Sequence, residues 1–224
     1  MALTEGVHAL PLEYEFEDRE MTIHPAAVET DRGVILLDAG LPGSVEQISD
    51  GLAAAGLALS DVTKVLLTHH DGDHAGGLRE LVDETGAEVL AHREEAPHVD
   101  GREAPVKGDA DDRYPPVVVD VELVGSVRFR TAAGPMDVVD TPGHAPGHVS
   151  LFFPRSGLLV AGDALVSEGG ELSGPKPEFT PEMDRAMESV GALAHLDVER
   201  THCYHGGTVE AGTGRIEEIY EDER

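Results

Sequence analysis

The densest group of chemically versatile side chains lies in residues 68–77. Three histidines and two aspartates fall within six positions there, namely His69, His70, Asp71, Asp73 and His74. Imidazole and carboxylate groups are ligands of divalent metals such as zinc, manganese and iron. The apolar run 65–67 precedes the segment and is typical of a buried strand. Because open α/β folds carry out chemistry at the carboxyl ends of their strands, the segment predicts a metalloenzyme.

Four further apolar runs also end in residues that can bind metals. Each run predicts a strand that delivers a histidine or an aspartate to a loop containing glycine. Glycine lets the backbone turn tightly and approach a ligand closely. These residues are, in chain order, Asp38, His144, Asp163 and His205.

The elements around the histidine-rich segment follow from hydrophobic periodicity. A helix is predicted over residues 44–57, with Ser44 as its N-cap. A strand over 64–68 leads into the segment, and a helix over 75–84 follows it. Residues 93–116 are rich in Pro, Asp, Glu and Gly and predict an exposed excursion.

The second half of the chain is first β-rich and then mixed. A helix is predicted over residues 180–194, with Thr180 as its cap and Pro181 in its first turn. Along the whole chain the order is β-rich, α/β, β-rich and α/β, which predicts two packed sheets with helices outside. Since no linker or internal repeat is visible, we expect a single domain over residues 1–224.

This ordered set of residues resembles the metallo-β-lactamase-fold hydrolases. Their signature is His-x-His-x-Asp-His, then a histidine in Thr-Pro-Gly-His, an aspartate in Gly-Asp and a late His-Gly; this chain has the variant His-x-Asp-x-Asp-His. The matching segments run from Asp38 to His205, and the ordered set is highly specific. The resemblance implies an α/β fold, a four-layer αββα sandwich. It also implies hydrolysis of an ester, thioester, lactone or similar bond by a hydroxide that bridges two metals.

The same resemblance implies a set of ligands. They are His69 and His144 for the first metal, Asp73, His74 and His205 for the second, and Asp163 as the bridge. Asp73 and Asp163 take the catalytic roles. Two divalent metal ions are the implied cofactors, with zinc expected and manganese or iron as alternatives.

Four other residues have expected supporting roles. Asp38 resembles the family's supporting acid, which orients a ligand histidine. His70 has the wrong spacing for a ligand, and we expect it and His148 to support the ligands rather than bind metal. Lys176 is a candidate for binding a substrate carboxylate or phosphate, with a solvated loop lysine as the alternative.

The chain departs from the family signature at Asp71, where the pattern has its second histidine. We expect Asp71 to bind the first metal, and the alternative is a simple turn at this point. Two divalent ions and one hydroxide together carry three positive charges. The carboxylates of Asp73 and Asp163 reduce this to one, and the carboxylate of Asp71 reduces it to zero. A neutral site is a weaker Lewis acid, and an added oxygen ligand favours manganese or iron.

Charge and composition restrict the classes of partner. The net charge is −28 over 224 residues. Such a surface needs salt to screen its self-repulsion, which predicts a halophilic protein in a high-salt cytoplasm. Nucleic acid is disfavoured as a partner because phosphate contacts need patches of Lys and Arg. One cysteine, no apolar run of bilayer length and no visible signal peptide fit a cytoplasmic enzyme of small-molecule substrates without membrane partners.

Three alternatives to the leading function stay open. Hydroxyacylglutathione hydrolases carry a helical carboxy-terminal extension, whereas 19 residues follow His205 here. A mononuclear-iron sulfur dioxygenase resembles this family and needs only His69, His144 and Asp163. A binding or regulatory protein that has lost activity through Asp71 is the third. The sequence does not determine the substrate or the oligomeric state.

Overall fold

The computed structural model describes residues 1–16, 19–108 and 113–222. It divides the chain into two compact units, which we call unit 1 (Met1–Val124) and unit 2 (Gly125–Arg224). Each unit contains a main sheet and helices, so the α/β class is confirmed. The single domain over residues 1–224 stays a prediction.

Unit 1 is built around a mixed sheet. Its strands are β1 (Ala2–Thr4), β2 (Val7–Ala9), β3 (Leu12–Phe16), β4 (Arg19–Ile23), β5 (Ala26–Thr30), β6 (Gly33–Leu37), β7 (Val62–Leu66), β8 (Glu88–His92) and β9 (Val121–Leu123). In the described part of the chain, the main sheet has the order β1-β2-β5-β6-β7-β8-β9, and β3 pairs with β4 in a hairpin. Strands β6 to β9 run parallel. Parallel strands are covered on both faces, which explains the continuous apolar run of residues 34–37 in β6 and the buried apolar residues 65–67 at the end of β7.

The helices of unit 1 differ in their bounds from those predicted over residues 44–57 and 75–84. They are α1 (Val45–Ala54), α2 (Gly72–Ala75), α3 (Leu78–Thr85) and α4 (Ala96–Val99). Ser44 precedes α1, but its hydroxyl donates to the carbonyl of Leu41 instead of capping the helix. The predicted helix over 75–84 is interrupted before α3, where Gly77 lies so close to the segment after β6 that a Cβ would be 2.4 Å from the carbonyl oxygen of Ala39.

The prediction of an exposed excursion over residues 93–116 was correct for segments such as 101–104, which are exposed, but wrong around α4 and at Tyr114. Glu95, Ala96 and Val99 are completely buried, and Tyr114 is only 8% exposed. Composition marks this stretch as polar, but α4 and the side chains around it pack into unit 1. Residues 109–112 of the stretch lie outside the described residues.

Unit 2 contains a second mixed sheet. Its strands are β10 (Val127–Thr131), β11 (Gly134–Asp140), β12 (Val149–Phe153), β13 (Leu158–Gly162), β14 (Val166–Glu168), β15 (Glu171–Ser173), β16 (Arg200–Cys203) and β17 (Gly207–Val209). Within the described residues the main sheet has the order β10-β11-β12-β13-β16-β17, and β14 pairs with β15. Strands β13 and β16 run parallel, so their carboxyl ends lie at the same edge.

Two helices pack on this sheet, α5 (Met183–Leu193) and α6 (Thr213–Asp222). Apolar side chains of α5 and α6, including Val190 and Ile216, share one core cluster with Leu159 of β13 and Cys203 of β16. The prediction that Thr180 caps the helix was wrong, since α5 begins at Met183. None of the helices in the described ranges is long and apolar enough to cross a bilayer.

Candidate metal centre

In unit 1, Asp38 holds the histidine-rich segment from the end of β6. Its Oδ1 accepts the backbone N–H of Thr68 at 2.7 Å, and its Oδ2 accepts the Thr68 hydroxyl at 2.9 Å. The same Oδ2 lies 2.9 Å from His74 Nδ1. Asp38 is 2% exposed and has a φ of +65°, a value that aspartate tolerates better than most residues. An Nδ1–H donated to this carboxylate leaves the Nε2 lone pair of His74 available for a metal.

The predicted ligands of unit 1 lie on both sides of the start of α2. His69 and His74 are fully buried, with ring centroids 4.0 Å apart. His69 Nε2 is 3.3 Å from Asp71 Oδ2, and His74 Nε2 is 3.9 Å from Asp73 Oδ2. The backbone carbonyl of Asp71 accepts the N–H of His74, so the short helix fixes this spacing. We call these four residues the amino-terminal cluster.

His70 belongs to a buried network that sequence analysis missed. Glu95 Oε2 accepts the backbone N–H of His70 at 2.9 Å and also contacts its Nδ1. His70 Nε2 accepts the N–H of Val106 at 3.2 Å, so both ring nitrogens bond within the protein. The Tyr114 hydroxyl donates to the carbonyl of His70 at 2.8 Å. Burial raises the pKa of Tyr114, which keeps this hydroxyl protonated as a donor.

Lys107 is a second residue that sequence analysis did not assign to the site. Its Nζ lies 2.5 Å from Asp71 Oδ2, the oxygen that also faces His69. The side chains of Lys107 and Asp71 are 22% and 17% exposed. The signal that could have drawn attention to Lys107 is the scarcity of lysine, since the chain has only Lys64, Lys107 and Lys176.

A cavity in unit 1 opens beside these groups. Its volume is about 490 Å³, which is within the usual range for small-molecule sites. Asp71, Asp73 and Lys107 supply charged groups to its wall, and Leu41 and Tyr114 supply apolar surface. The cavity therefore combines room for a small molecule with polar groups from the amino-terminal cluster.

In unit 2, two predicted histidine ligands face the carboxylate of a third predicted ligand, Asp163. Asp163 follows β13, and its Oδ2 is 3.3 Å from His144 Nε2 and 3.4 Å from His205 Nε2. His144 and Asp163 are buried, whereas the His205 side chain is 34% exposed. One carboxylate oxygen therefore faces the Nε2 atoms of two imidazoles. We call these three residues the carboxy-terminal cluster.

His148 supports this cluster through a hydrogen bond to the backbone of Asp163. Its Nε2 accepts the backbone N–H of Asp163 at 2.9 Å, so its Nδ1–H donates to Thr141 Oγ1 at 2.8 Å. The Thr141 hydroxyl then donates to Ser150 Oγ, and Ser150 donates to the carbonyl of Ala161. Each hydroxyl has one proton, so this chain determines the tautomer of His148. The network fixes the backbone at Asp163.

Two glycines allow the loops of the carboxy-terminal cluster to pack closely. Gly143 has a φ of +133°, and a Cβ there would lie 2.3 Å from the backbone nitrogen of Ala186 in α5. Gly206 has a φ of +90°, and a Cβ there would lie 2.0 Å from the carbonyl oxygen of Ser167. Larger residues at either position would move His144 or His205. Thr180, which does not cap α5, has its hydroxyl 3.5 Å from His144 Nδ1.

Two other residues of unit 2, Lys176 and Cys203, lie outside the carboxy-terminal cluster as we define it. Lys176, the predicted substrate-binding lysine, pairs with Glu168 at 2.5 Å. Cys203 is fully buried. Burial raises the pKa of the Cys203 thiol, and the nearby Asp163 charge adds to the effect, so the thiol stays protonated.

The donor sets of both units fit divalent metals. Two atoms bound to one tetrahedral zinc, each about 2.1 Å from it, lie about 3.4 Å apart. The pair His69–Asp71 has a separation of 3.3 Å, and Asp163 has separations of 3.3 and 3.4 Å from its two histidines. Imidazole and carboxylate groups are also the chemical types that zinc, manganese and iron accept.

Comparison with known proteins agrees with this chemistry. The family model described as the Metallo-beta-lactamase superfamily matches residues 25–205. A metallo-beta-lactamase family protein of Thermus thermophilus has a similar structure, with a TM-score of 0.78 and 25% identity. The match covers 99% of this chain and 80% of that one.

Two curated relatives show the range of similar sequences. A probable metallo-hydrolase of Bacillus subtilis (YflN) is 30% identical over 197 residues, which cover 77% of this chain and 75% of the relative. The hydroxyacylglutathione hydrolase of Alkalilimnicola ehrlichii is 35% identical over 170 residues, which cover 75% of this chain and 56% of that protein. The chain thus spans about half the length of that hydrolase.

Proposed function

The chain belongs to the metallo-beta-lactamase superfamily and is a hydrolase, and from this premise we propose its reaction and its site. The proposed reaction is hydrolysis of an ester, thioester, lactone or similar bond in a small molecule, at a site of two divalent metals. Zinc is the proposed metal. Thioesters come first among the substrates because several similar proteins are named hydroxyacylglutathione hydrolases.

The observation that carries the dinuclear proposal is the position of Asp163. Its Oδ2 lies at nearly equal distances, 3.3 and 3.4 Å, from Nε2 of His144 and of His205. In the ligand set implied by the family signature, these histidines belong to different metals. A carboxylate oxygen placed between them suits a bridging role. The proposed set is completed by His69, Asp71, Asp73 and His74.

The protein's own groups prepare the ligands for this role. When bound, the metals supply a hydroxide nucleophile and polarise the scissile carbonyl. Asp38 accepts from His74 and Thr68 and so keeps the imidazole turned with Nε2 outward. His148 accepts the backbone N–H of Asp163 and holds that carboxylate in place. The cavity of about 490 Å³ in unit 1 is the proposed room for the acyl or leaving group.

Metal analysis combined with a substrate screen tests the proposal. The purified protein is assayed for metal identity and stoichiometry, then for hydrolysis of thioesters, esters and lactones. We expect two metals per chain and hydrolysis of at least one class. Asp163→Asn should lose one metal and most activity. Asp184→Asn, which makes the same chemical change at an exposed residue of α5 in unit 2, is the matched control and should keep both metals.

Two results would overturn the proposal in different ways. One iron per chain, with oxygen consumption on a persulfide and no hydrolysis, would identify a sulfur dioxygenase. A folded protein that retains no metal would identify a binding or regulatory member of the family.

We also propose that the enzyme works in the cytoplasm at high salt. The net charge of −28 supports this, because salt screens the self-repulsion of such a surface. The protonated, buried state of Cys203 is compatible with a reducing compartment.

A further inference from the structure

Lys107 contacts the one proposed ligand that departs from the family signature. Its Nζ is 2.5 Å from Asp71 Oδ2, and the same oxygen is 3.3 Å from His69 Nε2. One oxygen of Asp71 therefore contacts an ammonium group and also faces a proposed metal ligand. A carboxylate has about four lone-pair positions on its two oxygens, so it can bond to an ammonium and a metal together.

The backbone around Lys107 is fixed by buried residues. We call residues 104–108 the Lys107 loop. His98 Nδ1 bonds to the carbonyl of Ala104 at 2.6 Å, and His70 Nε2 accepts the N–H of Val106 at 3.2 Å. The rings of His70 and His98 stack with centroids 4.4 Å apart. The loop that carries the ammonium is thus anchored on both sides of Pro105.

His70, one of the two anchoring histidines, is itself held by Glu95. Glu95 is completely buried, and its Oε2 accepts the backbone N–H of His70 at 2.9 Å while also contacting Nδ1. A buried carboxylate is costly unless several donors satisfy it. Its use here, to fix a histidine that neighbours Asp71 in sequence, indicates that the fold holds the Lys107 loop in a defined position relative to Asp71.

We infer that Asp71 and Lys107 together replace the neutral histidine of the family signature. The carboxylate provides the metal ligand, and the ammonium cancels the negative charge that the carboxylate adds. This inference rests on the proposed function, because it assumes that Asp71 binds the first metal. Lys107 is a positioning residue in this arrangement: it acts on the metal through Asp71 and through its own charge.

The inference predicts that removing the charge of Lys107 strengthens metal binding. Lys107→Met keeps the length of the side chain and removes its charge, so the site becomes more negative. A divalent ion a few ångströms from the lost ammonium should bind about tenfold more tightly, even with the dielectric constant of water. A lysine that only braced the loop would give weaker binding when removed. A lysine that only gripped substrate would change KM and leave metal affinity unchanged.

Zinc affinity, measured by competition with a chromophoric chelator, tests the inference in one buffer. We expect Lys107→Met to lower the dissociation constant of one zinc about tenfold and Lys107→Arg to leave it within about twofold, since arginine keeps the charge. Lys64→Met is the matched control, because Lys64 pairs with Glu88 on strands β7 and β8 and its loss changes the net charge equally. Circular dichroism checks that each variant is folded.

The outcomes separate this inference from the proposed function. If the wild-type protein binds no metal, the proposed function fails. If the wild type binds zinc, but Lys107→Met binds it equally or more weakly, only the inference fails. Equal tightening by Lys64→Met would also overturn it, because the effect would then come from net charge alone. Should Lys107→Met not fold, Lys107→Gln gives the same comparison.

Discussion

Asp38→Asn is the perturbation that tests most directly how the fold prepares a metal ligand. Asparagine keeps the shape of aspartate and also tolerates the positive φ of +65° at this position. One of its two terminal atoms is a donor, so it cannot accept from both Thr68 and His74. If the amide oxygen keeps the Thr68 N–H, the amide NH₂ points at His74 Nδ1. The imidazole then carries its proton on Nε2, the nitrogen that the metal needs.

The expected magnitude follows from the bonds that change. Bonds to the Asp38 carboxylate at 2.7 and 2.9 Å are charge-assisted, and each is worth about 1.5–3 kcal/mol against about 1 kcal/mol for a neutral bond. Part of this loss is offset because a buried amide costs less to desolvate than a buried carboxylate. We expect a net destabilisation of about 2 kcal/mol, which lowers the Tm by about 4–8 °C in a chain of this size. Metal affinity should fall about 10- to 100-fold.

The assay combines thermal unfolding of the metal-free protein with zinc titration against a chelator. Asp83→Asn is the matched control, since Asp83 is an exposed residue of α3 and loses the same charge. A zinc affinity of Asp38→Asn within twofold of the wild type would refute the claim that Asp38 sets the tautomer of His74. A drop in Tm without a drop in affinity would leave Asp38 with a purely structural role.

Three further predictions concern unit 2 and the whole chain. Cys203 should resist thiol reagents at pH 8 until guanidinium unfolds the protein, and rapid labelling of the native protein would contradict its burial. Because burial raises the pKa of the thiol, the free energy of unfolding should also fall as pH rises above the thiol's ordinary pKa of 9.0. Gly143→Ala should cost about 3 kcal/mol, through clash with Ala186 and strain, and more than Gly86→Ala, which has open space; equal Tm losses would count against the clash. The Tm should rise from low to molar KCl, given a net charge of −28, and a flat or falling Tm would exclude salt adaptation.

Much of the proposed site could be predicted because its parts are local in sequence. Each candidate ligand follows a strand, and a strand is recognisable from a short apolar run next to glycine. The sequence links Asp38 to the histidine-rich segment only through the family resemblance, and the structure supplies the physical reason, because β6 and β7 are neighbouring parallel strands whose carboxyl ends lie together. These strand ends place Asp38 Oδ2 2.9 Å from His74 Nδ1. The local pattern thus predicts that Asp38 lies at a strand end, whereas its contact with His74 depends on the order of the strands in the sheet.

The parts that sequence could not supply depend on contacts between distant residues. Thr180 has the right type and spacing for a helix cap, but its hydroxyl lies 3.5 Å from His144 Nδ1, and α5 begins three residues later. Glu95 lies in a stretch whose composition predicts exposure, yet it is buried because His70, 25 residues earlier, supplies its donors. A propensity measures what a residue prefers in isolation, and both positions are decided by tertiary partners instead.

The charge at Asp71 shows why contacts between distant residues matter for the proposed function. From the sequence alone, Asp71 cancels the last positive charge of a dinuclear site and predicts a weak Lewis acid. The structure adds a group that sequence spacing could not reveal, since Lys107 lies 36 positions away and 2.5 Å from the carboxylate. The pair Asp71–Lys107 is neutral, as a histidine would be, so the proposed site regains the charge of its relatives. In a chain with 44 acidic and 16 basic residues, a countercharge at this carboxylate cannot come from a generally basic surface. It has to be positioned, and the buried His70–Glu95 pair gives the Lys107 loop that position.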